Sequence, residues 1–268
     1  MILPSASPLT WTLSLAAAAA YAVSATGSSR ANQTLPRITV WLAWTLHGCL
    51  LAWGLWGGER PLFGFAPALS ITAWLVGLVY AVENVVFPQL KTPWMLSGGG
   101  AAAVLLTLVF PGEPLSAHLS AWLPLHWALG IASYGLFAVA VIHAWMMTRA
   151  EARIRSASGG FDGMPLLTME RLTFRFVNVG FVLLSATLIA GFFFGSHLYG
   201  SAHALKWDHK AIFSVLSWLT FGVLLIGRAR FGWRGRKAVR VLYVGSGLLL
   251  LAYVGSRFVL EVMLERAL

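Results

Sequence analysis

Apolar runs of bilayer length recur eight times in this chain, and that recurrence limits the fold more tightly than any other feature. They lie near residues 9–26, 38–57, 67–87, 93–110, 124–147, 173–195, 209–227 and 239–260. A helix crossing the hydrocarbon core needs about 20 apolar residues, and each run is close to that length. Between them too little polar surface remains for a water-soluble domain: 10% of the 268 residues are charged, against about 25% in soluble proteins. The expected fold is an all-α integral membrane protein of eight transmembrane helices, forming a single membrane domain over 1–268.

The charges between the runs set an orientation. Arg30 and Arg37 fall in the first loop, Lys91 in the third, and Arg149, Arg153, Arg155 and Arg171 in the fifth. The seventh carries Arg228, Arg230, Arg234, Arg236, Lys237 and Arg240. In the even loops and the tails the basic residues Arg60, Lys206 and Arg266 each lie near an acidic one. Loops rich in Lys and Arg stay in the cytoplasm, so both termini are expected on the outer, periplasmic side of a bacterial inner membrane. The first run ends in Ala22-Val23-Ser24, as a signal peptide does, but no basic residue precedes it. It reads as a retained first helix.

The net charge of +10 does not indicate nucleic acid, because the basic residues are confined to loops and form no continuous face. Cys49 is the only cysteine, which excludes an intramolecular disulfide, a CxxC pair and a cysteine zinc site. Residues 148–171, with Ser156-Ala157-Ser158-Gly159-Gly160 in their midst, are expected to act as a flexible tether. No nucleophile–base grouping, phosphate-binding glycine loop or HExxH motif is present, so an enzyme is not expected.

Polar groups at membrane depth are costly and by default indicate function. In the expected topology His118, His126, His197, His203 and His209 lie at or near the outer surface, His47 sits in the second helix, and His143 lies towards the cytoplasmic end of the fifth. His126 follows Pro124 at the start of the fifth helix, and Gly130, Ser133 and Tyr134 share its face by helical spacing. Two readings stay open there: a surface for a flat ligand with the imidazole as an axial metal ligand, or a packing face with an interfacial histidine. Lys206-Trp207-Asp208-His209-Lys210 precedes the seventh helix, with Asp208 as a helix cap and Trp207 as an interfacial anchor. Glu83, in the third helix, is expected either to pair with His143, to coordinate a cation, or to lie at the interface beside Lys91.

Residues 171–255 resemble the C-terminal half of the cytochrome c assembly proteins of the CcmC/CcsA type, haem-handling membrane proteins with a tryptophan-rich outer loop, the WWD domain. The resemblance is carried by Arg171-Leu172-Thr173-Phe174-Arg175, Gly180 to Leu184, Gly191, Trp207-Asp208-His209-Lys210, Trp218, Arg228, Gly232-Trp233-Arg234-Gly235 and Tyr253-Val254-Gly255. His126 to Tyr134 is similar to the helix bearing that family's first outer histidine; the first four helices match only in hydropathy. The chain departs from the haem-delivering members in two ways: residues 195–206 hold no tryptophan, and no histidine follows Gly255. It is closer to the short eight-helix HemX/YpjD-like inner-membrane branch.

The resemblance implies a haem-handling, cytochrome c biogenesis-like protein that binds haem as cofactor or cargo at the outer face. In it His126 would ligate the iron, Trp207 would stack on the ring and Asp208 would hold the loop. His209, His197 or His203 would supply a substitute second ligand, and His47 a relay site. Two other classes remain: an accessory subunit that modulates another inner-membrane protein (an ion transporter or a tetrapyrrole-synthesis enzyme), and a small-solute or metal carrier that uses His47 and Glu83.

Overall fold

A computed structural model of the protein describes residues 7–26, 34–57, 62–86, 94–114, 122–156, 165–199, 209–255 and 258. Helices cover nearly all of them: α1 (Pro8–Thr26), α2 (Thr34–Trp56), α3 (Phe65–Val86), α4 (Trp94–Val109), α5 (Leu123–Arg155), α6 (Leu166–Tyr199), α7 (His209–Phe231) and α8 (Gly235–Leu250). A π-helical turn over Leu251–Gly255 continues α8, and β1 (Leu62–Phe63) pairs antiparallel with β2 (Glu113–Pro114).

Among the described residues six helices are long and apolar enough to cross a membrane: α2, α3, α5, α6, α7, and α8 with its π turn. The remaining two fall short for different reasons. Alanine, serine and threonine dominate α1, and these are less apolar than leucine. The apolar part of α4 ends at Met95 and Val109, and a helix of that length rises only about 22 Å.

Two helices run further than their apolar segments. The fifth was expected to stop at 147 but continues to Arg155, and the sixth starts at Leu166 rather than 173. Most of the expected tether is therefore helix, with residues 157–164 outside the described set. The cause is local: Thr148 to Arg155 is rich in alanine, arginine and glutamate, all good helix formers, and Pro165 accepts from the amides of Thr168 and Met169 at the start of α6.

The chain divides into two compact units. The first holds α1, α2, α3 through Val82, both strands and α4; the second holds the last turn of α3 from Glu83, then α5 to α8 and the π turn. In the first unit Ala17, Ala43 and Val104 are fully buried and Tyr21 nearly so, the small side chains letting backbones approach as they must where lipid supplies no hydrophobic drive. Trp44 of α2 and Trp74 of α3 stack at 4.6 Å. Each indole N–H donates to the other residue's carbonyl at 3.1 Å.

The second unit is built around Phe137 of α5 and Phe221 of α7, stacked at 3.8 Å and 2° between planes. Gly245 of α8 makes this possible, since a Cβ there would stand 2.8 Å from the Phe221 ring. Ser217 donates to the Gly245 carbonyl at 2.8 Å, and Trp218 donates to Ser185 at 2.8 Å. Val182, Ile189, Phe193, Val223 and Ile226 point outward, as lipid-facing side chains do.

Charge is distributed unevenly along this unit. Arg228 at the end of α7 meets Glu170 at the start of α6 at 2.6 Å and covers the Phe174 ring. That end gathers every described lysine and arginine of the unit except Lys210, which begins α7 at the opposite end.

Replacing Gly245 by valine should destabilise the second unit by about 1–3 kcal/mol through overpacking, lowering the thermal midpoint in mild detergent. An unchanged midpoint would show that the phenylalanine stack tolerates the added methyls.

Candidate site at the His126 end of the second unit

His126 sits in the first turn of α5, its amide donating to the Trp122 carbonyl at 3.1 Å. The helix starts here because Pro124 occupies its first turn, where a missing N–H costs nothing. The imidazole is half-buried and lies against α6 at Gly191, where a Cβ would stand 3.5 Å from Cε1. Glycine at that point brings the α6 backbone up to the ring. One turn further, Gly130 faces Thr187 of α6, and Ser133 turns its hydroxyl back to the Gly130 carbonyl at 2.7 Å.

Three further groups converge on this end. Lys210 of α7 is close enough for its charge to act on the His126 ring. Its Nζ lies 5.4 Å from the Tyr253 ring centre. Tyr253 rides on the π turn and meets Tyr134 of α5 edge to face at 6.3 Å. A π turn holds one extra residue per turn and recurs at functional sites; here it places Tyr253 at the end that carries His126.

The residues singled out in the sequence fare differently. His126, Gly130, Ser133 and Tyr134 share a face as the helical spacing requires. His209 begins α7 and is exposed. Trp207, Asp208, His118 and His203 lie outside the described residues, as does the side chain of His197. Sequence reasoning missed that Lys210 and Tyr253 lie at the same end of the second unit as His126. Their signal was present, in a lysine near the Trp-Asp pair and a tyrosine in the last apolar run, but nothing in one sequence links them to a helix that begins at Leu123.

His47 belongs to the first unit and is fully buried. Its Nδ1 meets the Tyr21 hydroxyl at 3.2 Å and its Nε2 meets Ser70 Oγ at 2.7 Å. A neutral imidazole has one donor and one acceptor, so both nitrogens are engaged. Ligation of any metal by His47 requires one of these bonds to open.

Glu83 pairs with His143, Oε2 to Nε2 at 2.9 Å, both residues being almost wholly buried in the second unit. The edge of Phe176 closes over the imidazole. Of the alternatives open for Glu83, the structure selects the histidine pair. Glu83 Oε1 and His143 Nδ1 make no further hydrogen bond among the described residues.

The family model for cytochrome c assembly proteins matches residues 11–264. The chain belongs to that family. It is 29% identical to the inner membrane protein YpjD of Escherichia coli over 197 residues, spanning 70% of this chain and 73% of YpjD. An uncharacterized 28.8 kDa protein of Azospirillum brasilense is 30% identical over 210 residues, covering 76% and 71% of the two chains. The cytochrome c biogenesis protein CcsA of Parasynechococcus marenigrum is 26% identical over 263 residues, with 85% of each covered. Together with the six apolar spans, these relatives make this family member a multi-pass inner-membrane protein. The match also reaches back through α1 to α4, which the sequence likened to the family only by hydropathy.

Removing one partner of the buried pair should cost more than removing both. Glu83→Leu or His143→Leu alone leaves a buried polar group unsatisfied, at about 1–3 kcal/mol, whereas the double replacement leaves none. Unfolding of the three variants in mixed micelles checks this; a double variant less stable than either single one would contradict it.

Proposed function

We propose that this protein handles haem in cytochrome c biogenesis, as a non-catalytic inner-membrane protein that binds haem at its outer face through His126. The observation that carries the reading is the gathering of groups from α5, α6, α7 and the π turn at the end of the second unit that carries His126. His126 brings a nitrogen ligand, Tyr134 and Tyr253 bring aromatic surface, Lys210 brings a cation, and Gly191 brings the α6 backbone up to the imidazole. This donor set suits a flat, iron-bearing, dicarboxylate ring: imidazole is a common axial ligand of haem iron, and aromatic faces cover a macrocycle. His126 is the residue that would hold the haem iron, and haem when bound would supply the redox-active metal that cytochrome c carries. The family supports the same reading, since relatives in it are named cytochrome c biogenesis proteins.

The remaining assignments follow from sequence position. Trp207 and Asp208 come just before Lys210, and we assign them to stacking on the ring and to capping α7. His209, His197 and His203 are the candidates for a second axial ligand. His47 serves as a relay within the first unit only if Tyr21 or Ser70 releases it. An arrangement of eight spans with both termini outside accords with the charge distribution of the second unit, whose basic end would face the cytoplasm.

One alternative has a specific observation behind it: an accessory subunit that modulates a partner membrane protein without binding haem. The lack of tryptophan in 195–206 favours it. The carrier reading is weaker, because His47 and Glu83 are both held by partners.

Protein purified in mild detergent from haem-replete cells should show a Soret band, and His126→Ala should abolish or shift it while the thermal midpoint stays near wild type. A preparation that is colourless and remains so through haem titration removes the haem reading and leaves the accessory one.

A further inference from the structure

The Glu83–His143 pair is buried, yet a polar atom at each of its ends has no partner. Glu83 is 6% exposed and His143 1%, and both lie on helices long and apolar enough to cross a membrane, α3 and α5. Glu83 Oε2 meets His143 Nε2 at 2.9 Å, while Glu83 Oε1 and His143 Nδ1 make no hydrogen bond among the described residues. The two oxygens of a carboxyl group, like the two nitrogens of an imidazole, are separate bonding positions. The unpartnered atoms are therefore the two ends of one chain of atoms that runs from Nδ1 through Nε2 and Oε2 to Oε1. Among the described residues no lysine or arginine joins the pair. On α6 the edge of Phe176 covers the ring, Arg175 is exposed and Glu170 is taken by Arg228. On α5 Arg149 is exposed and lies over Trp145, and on α3 Tyr80 stands one turn before Glu83. A pair kept for packing alone would do as well as two apolar side chains, whereas glutamate and histidine joined within a membrane mark proton paths.

We propose that Glu83 and His143 form a proton relay inside the second unit, passing a proton from His143 Nδ1 to Glu83 Oε1 or back. In the uncharged pair the imidazole carries its proton on Nε2 and the carboxyl group carries its own on Oε1. A proton arriving from water at Nδ1 lets the Nε2 proton cross the 2.9 Å hydrogen bond to Oε2, and the Oε1 proton departs to water. One proton enters, one leaves, and the pair keeps no net charge. The bond between Nε2 and Oε2 survives with donor and acceptor exchanged, so the step requires no helix to move. The relay does not use the His126 site and is independent of what binds there.

Infrared spectra of the full-length protein in phosphatidylcholine vesicles, recorded in light water and during exchange into heavy water, test this through the carbonyl stretch of a protonated carboxyl group. Wild type should show such a band and shift it on deuteration, and Glu83→Gln should lose it. His143→Gln keeps a donor for Oε2 but cannot pass a proton on, so its band should remain and shift more slowly. A wild-type band that never shifts marks a sealed structural pair and overturns the proposal, as does a wild-type spectrum without a band that Glu83→Gln removes. A shift as fast in His143→Gln as in wild type means that the proton exchanges at Glu83 alone, and the relay falls. Should His143→Gln not fold, His143→Asn carries the same comparison, and the wild-type and Glu83→Gln spectra decide the first two outcomes without either.

Discussion

Hydrocarbon offers a polar group nothing to bond to, and the interior of this protein is arranged around that constraint. His47 finds a hydroxyl on each side. The indoles of Trp44 and Trp74 exchange hydrogen bonds with each other's backbone. Ser217 reaches across to the carbonyl of Gly245, and Glu83 takes His143. Serines and threonines without a neighbour fold back on their own helix, as Thr72, Thr107 and Thr187 do. The polar side chains that bond across helices therefore help to specify which helices meet, a task that in water falls to hydrophobic burial.

Against that background the His126 end of the second unit stands apart. The cores of both units are filled by paired aromatics and small residues, whereas this end gathers an imidazole, an ammonium and two phenols where four helices finish or begin. Such a concentration of chemistry at a helix terminus is what a ligand reached from the membrane surface would require. The opposite end is occupied by the Arg228–Glu170 pair and its surrounding arginines, so the two ends are differentiated for different surroundings.

Much of this was legible in the chain. Hydropathy located the helices, because a bilayer demands a fixed length of apolar residues and six of the eight runs supply it. The helical repeat placed His126, Gly130, Ser133 and Tyr134 on one face. Where helices ended was harder to read: α5 and α6 continue past their apolar parts because alanine, arginine and glutamate sustain a helix without lipid. Partners far apart in sequence could not be read from spacing alone. Tyr21 and Ser70 around His47, and Lys210 and Tyr253 at the His126 end, come from separate helices, and their meeting depends on how those helices pack. For Glu83 the chain left three readings open, a pair with His143, a cation or the interface, and only the packing of the helices selects the first.

The reciprocal indole bonds between α2 and α3 have a mechanical consequence. Because each ring reaches the other residue's own carbonyl, a displacement of either helix along its axis by a single residue, about 1.5 Å, would break both bonds together and unstack the rings. The two helices are thus keyed to each other like a ratchet with one tooth. A shift that keeps this pair intact would fall on α1 and α4, which the Tyr21–His47 and Ser24–Ser97 hydrogen bonds hold alongside contacts of alanine and glycine.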